Sequence, residues 1–321
     1  MQSALSTHPL TVVVCYIAAA GACYGTDQPV FEPHSFAYSP SVKVAYDVQG
    51  TGDLPVVLLH SLGSAKESWD PLLPGLLSIC QCRLYRVDLR GHGGTSAPDD
   101  HRYSLRENAA IVKAFMADQK LQGAILMGHS YGGSVALDIA LDAKKDGVNL
   151  VRGLILIGTP GVLQRFPFLV AHHRYEGYGK VVDHLTTPEV RAWIAVHARN
   201  YNNSASVRNR VALYARLWSD PARNRAARET ARQFLDGGGL EELASRNHDT
   251  GVPTLLIAGE HDHLVGVKRT RELARSIGGS KLSIISNAGH APHEDVPESV
   301  VPVISDFLNT CFLDGPLWGK P

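Results

Sequence analysis

Charge and aromatic rings are both sparse in this chain: Asp, Glu, Lys and Arg make up 19% of its 321 residues, and Phe, Trp and Tyr 7%. The 31 basic residues cancel the 31 acidic ones. That balance excludes a protein that coats nucleic acid through its overall charge, and no recognised nucleic-acid motif accompanies it. The five cysteines (Cys15, Cys23, Cys80, Cys82 and Cys311) are odd in number and offer no paired C-x-x-C spacing. Neither a disulfide framework nor a cysteine-based zinc site is therefore expected. The 15 histidines contain no H-E-x-x-H arrangement, so no metal is expected. No apolar run reaches the ~18–20 residues of a membrane-spanning helix, and no repeat of ~20–50 residues points to a solenoid or propeller. What remains is a globular composition, 44% hydrophobic and rich enough to bury a large core.

Residues 1–32 read as an N-terminal extension. Positions 9–24, PLTVVVCYIAAAGACY, form an uncharged apolar run ending in small residues. The run has features of a signal peptide spanning residues 1–22, and Cys23 directly after it has the position of an acylated lipoprotein cysteine. Met1 to Leu10 carries no Lys or Arg, however, and Ala20 stands where the lipoprotein pattern prefers Leu. An exported and a cytoplasmic protein both stay open.

From residue 41 the pattern is regular. Strands are expected at 41–48, 55–60, 83–89, 123–130, 153–160, 253–260 and 281–289. Helices are expected at 69–77, 104–121, 131–145 and 267–277 and from about 298, with Ser104 and Glu107 forming a capping box. Strands alternating with helices imply crossover connections: an α/β fold, mainly parallel, with helices on both faces of the sheet. The alternation stops at 161–245, which is helical and polar and reads as an inserted cap or lid. The core is then 33–160 plus 246–312, followed by a tail at 313–321.

One local motif carries chemistry. GHSYG, residues 128–132, lies between an expected strand and an expected helix and fits G-x-S-x-G. A serine forced into such a turn presents its hydroxyl above the sheet, next to a helix N-terminus that favours negative charge. A serine hydroxyl needs a base, and the base an orienting acid. Asp262 follows one later strand and His290 the next, so Ser130, Asp262 and His290 stand in the required order at one sheet edge. Two backbone N–H groups should hold the oxyanion, from Leu62 in HSLG (60–63) and from Tyr131. Glu260 is set aside as still within its strand, and His263, His293 and Glu294 are expected to be loop-surface residues.

Together VVLLHSLGSAKESW, YRVDLRGHGGTSAP, MGHSYGGSVAL, LLIAGEHD and NAGHAPHEDVPE resemble the α/β-hydrolase superfamily, over roughly 40–160 and 250–310. The resemblance implies a Ser130–His290–Asp262 triad, hydrolysis of an ester-type bond through an acyl-enzyme, a small-molecule substrate and no cofactor. It assigns Asp88, Arg90 and His92 of the RGHGG region structural roles. It also leaves a lactonase, a C–C-bond hydrolase, or a ligand receptor that retains the triad as alternatives. A serine at position 130 disfavours epoxide hydrolases and haloalkane dehalogenases, which use Asp there. Two departures are visible: His60-Ser61 where many relatives have His-Gly, and His263-Leu264-Val265 where many have Pro after the acid.

Residues 161–235 hold eleven Arg and one Lys against five acidic residues, an excess of seven in a chain that is neutral overall. Aromatics such as Phe166, Trp193, Tyr214 and Trp218 are interleaved with them. Either this is a solvated helical surface over an apolar underside, or the arginines bias a lidded pocket toward anionic substrates.

Overall fold

The computed structural model describes residues 33–167, 176–199, 204–246 and 248–313. The signal-peptide and acylation expectations, and residues 314–321 of the tail, lie outside them. Eight strands form one sheet: β1 His34–Ser39, β2 Val42–Gln49, β3 Leu54–Leu59, β4 Cys82–Val87, β5 Ala124–His129, β6 Val151–Ile157, β7 Thr254–Gly259 and β8 Lys281–Ile285. Their order is β1-β2-β4-β3-β5-β6-β7-β8. β2 runs antiparallel to both neighbours, and every other pair is parallel. In β5 and β7 every residue is buried, which requires cover on both faces of the sheet. Sequence reasoning missed β1, an edge strand with no fully buried position and hence little apolar pattern.

The helices of the core are α1 Leu73–Ile79, α2 Leu105–Asp118 and α3 Tyr131–Asp146. A short 3-10 turn at Lys66–Trp69 precedes α1, so the single helix expected at 69–77 is broken around Pro71. α2 buries Leu105, Ile111, Val112, Phe115 and Met116 on one face. Its start follows from Ser104, whose hydroxyl accepts the Glu107 N–H at 3.1 Å. The main core joins these side chains to Val57, Leu126, Leu154 and Leu256 of the central strands. Arg86 of β4 is fully buried and donates to both oxygens of Asp47, at 2.6 and 2.8 Å, and also to Asp70. A guanidinium inside the protein is tolerable only with such a bidentate partner. Cys80 and Cys82 are disulfide-bonded, but a link across so short a loop removes little chain entropy.

Between β6 and β7 lie α4 Glu176–Leu185, α5 Pro188–Ala198, α6 Ser204–Trp218, α7 Pro221–Leu235 and α8 Gly239–Ser245. α5 and α6 share a small core of Ala192, Val196, Tyr214 and Ala215. Phe234 of α7 and Leu240 and Leu243 of α8 join the main core. The arginine excess is mostly spent on contacts. Arg216 pairs with Glu67 at 3.8 Å, Arg225 with Asp99 at 3.1 Å and Arg210 with Glu294 at 3.2 Å, all carboxylates of the core. After β7 and β8 come α9 Gly266–Ser276, α10 Pro292–Asp295 and α11 Pro297–Leu308. Among the described residues no helix is long and apolar enough to cross a membrane.

Replacing Ser104 by Ala removes the cap acceptor of α2 and should cost about 1 kcal/mol of stability. Urea unfolding followed by circular dichroism checks this, and an unchanged midpoint would show that the hydroxyl contributes nothing.

Candidate active site

β5 ends at His129 and α3 begins at Tyr131, so Ser130 alone makes the turn. Its backbone sits at φ 52° and ψ −119°, a left-handed conformation that a residue with a side chain adopts only under constraint. The glycines on either side explain why the turn can close. A Cβ on Gly128 would lie 2.5 Å from the Gly132 carbonyl oxygen, and one on Gly132 would run into the carbonyls of Leu59 and His60. Ser130 donates its N–H to the Ile157 carbonyl at 2.8 Å, which locks the turn to β6.

Asp262 lies in the turn after β7 and is buried. One carboxylate oxygen accepts the N–H groups of Leu264 at 2.8 Å and Val265 at 3.0 Å, and the other meets His290 Nδ1 at 2.9 Å. Burial opposes its charge, but His290 and the two backbone donors outweigh burial and hold its pKa below the usual carboxylate value. His290 is fixed at three points: Nδ1 on Asp262, its N–H on the Arg199 carbonyl at 2.9 Å, and its own carbonyl on His129 Nε2 at 3.0 Å. An Nδ1–H donated to Asp262 leaves Nε2 as the basic nitrogen. Ser130 and His290 line the same cavity, together with Ser61, Leu62 and Gly63.

The loop 60–63 is held by a neutral histidine. His60 donates Nδ1–H to the Ser61 carbonyl at 2.8 Å and accepts the Leu89 N–H on Nε2 at 3.0 Å. Trp218 Nε1 donates to the Gly63 carbonyl at 2.8 Å. Tyr131, as the first residue of α3, has an N–H with no acceptor within the helix. Its side chain takes no part in the cavity: it is buried against Phe234 and accepts a hydrogen bond from Asn108 at 3.1 Å. Asp88 and its neighbours brace this loop: Asp88 accepts the Lys66 N–H at 2.7 Å and the Gly94 N–H at 2.8 Å, and His92 Nδ1 bonds the Arg90 carbonyl at 2.9 Å.

The other His and Glu residues near the triad differ in placement. His263 is exposed, as expected. Glu260 is past the end of β7, not within it, and its carboxylate accepts the Asn287 N–H at 3.2 Å, away from His290. His293 and Glu294, expected at the surface, are fully buried, because α10 turns inward beneath the site. His293 packs on Trp69 and His129 with ring centroids 4.6 and 4.4 Å apart. His129, His293 and Glu294 bring donor atoms within 4.8 Å of one another. Arg210 holds a Glu294 oxygen at 3.2 Å, and its charge opposes a cation there, so the trio fits a divalent metal poorly.

The cavity, about 220 Å³, is walled by Phe166, Val182, Ile194, Trp218 and Val265, with Arg191, Arg199 and Arg228 also on its lining. Most of that wall comes from the inserted helices, a layer with no sequence motif to announce its role.

The family model described as the alpha/beta hydrolase fold matches residues 55–297. The chain belongs to that family. It is 29% identical over 266 residues to a pimeloyl-[acyl-carrier protein] methyl ester esterase of Aromatoleum aromaticum, covering 79% of this chain and 97% of the relative. It is 27% identical over 290 residues to a 2-hydroxy-6-oxo-6-(2'-aminophenyl)hexa-2,4-dienoic acid hydrolase of Metapseudomonas resinovorans, covering 85% and 90%. In fold it is similar to the 2-hydroxy-6-oxo-6-phenylhexa-2,4-dienoate hydrolase of a Rhodococcus species, with TM-score 0.73, 17% identity and coverage of 88% and 99%. This α/β hydrolase thus shares its architecture with enzymes that cleave different bonds.

Burial keeps two of its histidines neutral: it lowers the His60 pKa from 6.5 to about 4 and the His92 pKa to about 3. The unfolded imidazoles take up protons near the ordinary value, so stability is full above about pH 6.5 and falls as the pH drops toward 4. Each histidine contributes a slope of up to about 1.4 kcal/mol per pH unit. Urea midpoints measured from pH 7 to pH 4.5 should decline steadily, and a flat profile would show that these imidazoles are not buried neutral.

Proposed function

We propose that this α/β hydrolase cleaves ester-type bonds with Ser130 as nucleophile, His290 as general base and Asp262 as the group that orients the imidazole. The observation that carries the reading is the His290 Nδ1–Asp262 contact of 2.9 Å beside the left-handed Ser130, with both Ser130 and His290 on one cavity. The Ser130 hydroxyl attacks the substrate carbonyl as His290 Nε2 takes its proton, and the resulting oxyanion is held by the N–H groups of Leu62 and Tyr131. His290 then returns the proton to the departing alcohol, leaving an acyl-enzyme. A water, deprotonated by His290, attacks that acyl-enzyme and releases the acid, restoring Ser130. Asp262, with its lowered pKa, stays anionic and stabilises the imidazolium formed in each half.

A second reading uses the same residues on a carbon–carbon bond. It is favoured by the 27% identity to the dienoic acid hydrolase, which spans 90% of that relative.

On a short aryl ester such as p-nitrophenyl butyrate, Ser130→Ala should lower kcat by about 10³-fold or more, and Asp262→Asn by about 10⁴-fold through the wrong imidazole tautomer. Steady-state kinetics on variants matched for thermal stability checks this. Turnover by Ser130→Ala within tenfold of the parent would remove Ser130 from the mechanism.

A further inference from the structure

Among the described residues three arginines and one aspartate reach the cavity lining, and they are not equivalent. Asp183 takes two of the three: Arg191 at 3.2 Å on one oxygen and Arg228 on the other, with Asn224 Nδ2 at 3.4 Å. Arg191 is further tied to the carbonyls of Thr186 at 3.0 Å and Trp218 at 3.4 Å. These two guanidiniums are fixed to one another through a shared carboxylate, which cancels one of their two charges, as parts of the cap's own framework.

Arg199 is different. Among the described residues it has no carboxylate partner. Its Nη1 donates only to the Ala195 carbonyl, 3.1 Å away one turn back on α5, and its Nε is buried without a hydrogen bond. The guanidinium carbon lies 4.9 Å from the centroid of the Tyr214 ring, and Tyr214 is itself fully buried. Stacking of this kind fixes the plane of the guanidinium and leaves its edge for a ligand. A half-buried cation held in a preset orientation, with its shielded Nε unbonded and, among the described residues, no counter-charge, is costly unless something anionic completes it. Arg199 is also the residue whose carbonyl receives the His290 N–H at 2.9 Å, so it stands beside the candidate base. The surrounding wall of Phe166, Val182 and Ile194 is apolar, which strengthens any ion pair formed there.

We propose that Arg199 anchors a carboxylate carried on the acyl part of the substrate, so that this site takes half-esters of dicarboxylic acids in preference to neutral esters. The proposal rests on the reading of Ser130 as the nucleophile. The acyl part is assigned because it stays in the cavity through the acyl-enzyme stage, whereas the alcohol must leave before water attacks. A cavity of about 220 Å³ fits a compact acyl chain of this type.

The test compares methanol release from monomethyl glutarate and from methyl pentanoate by the parent, Arg199→Gln, Arg199→Lys and Arg228→Gln proteins. The ratio of kcat/KM for the half-ester over the neutral ester should fall about 10- to 100-fold in Arg199→Gln. Arg199→Lys should recover part of the loss, and Arg228→Gln should keep the ratio within about threefold, because Arg191 still engages Asp183. A ratio unmoved by Arg199→Gln, or lost equally in Arg228→Gln, overturns the proposal. Calorimetric titration of Ser130→Ala with the same two esters separates this subsite from the chemistry. There the half-ester should bind about tenfold or more tightly than the neutral ester, and Arg199→Gln should abolish the difference. Equal binding of the two esters to Ser130→Ala overturns the anchor whatever the mechanism of cleavage. Hydrolysis that survives in Ser130→Ala, with the binding preference intact, overturns the nucleophile and leaves the anchor standing.

Discussion

A single backbone angle organises the molecule. Ser130 at φ 52° lets the central strand β5 pass into α3 without a connecting loop. That turn closes only because Gly128 and Gly132 let the helix come against the carbonyls of Leu59 and His60. The conformation costs about 1–3 kcal/mol. What opposes this strain is the packing around it: β5 is buried at every position, and the Ser130 N–H is bonded to β6. A turn so constrained holds its hydroxyl in one direction, which is what a nucleophile requires.

The second organising feature is the way His290 gathers the layers. Its ring is held by Asp262 from the β7 turn, its N–H by the carbonyl of Arg199 just past the end of α5, and its carbonyl by His129 next to Ser130. Two neighbouring histidines, His129 and His293, are driven well below the usual imidazole pKa by burial first and by nearby positive or imidazole groups second. They fill the space under His290 as neutral rings. The cap's arginines serve a related end. Arg210, Arg216 and Arg225 pair with carboxylates of the core, so much of the positive excess clamps the inserted helices over the sheet.

Much of this was legible in the sequence where one physical signal dominates. Buried parallel strands read as continuous apolar runs, and PVVLLH, GAILMGHS and PTLLIAGE were placed to within a residue or two of their observed bounds. GHSYG was legible because few arrangements put glycines on both flanks of a serine between a strand and a helix. Asp262 and His290 followed from their order along the chain. The edge strand β1 was not legible, since its residues, exposed or only partly buried, carry little apolar alternation. His293 and Glu294 were misread because burial here is decided by the inward course of α10, a tertiary effect with no local pattern. The unequal environments of Arg191, Arg199 and Arg228 could not be read either, because they depend on which arginines share Asp183.

Every step proposed for this site depends on the identity of the nucleophile. Peptide mapping by mass spectrometry, after the native protein reacts with a fluorophosphonate, tests it most directly. A single phosphonyl adduct on the peptide containing Ser130, absent from Asp262→Asn protein treated for the same short time, is the predicted result. An adduct on any other serine, or none on protein that hydrolyses an ester, would contradict it.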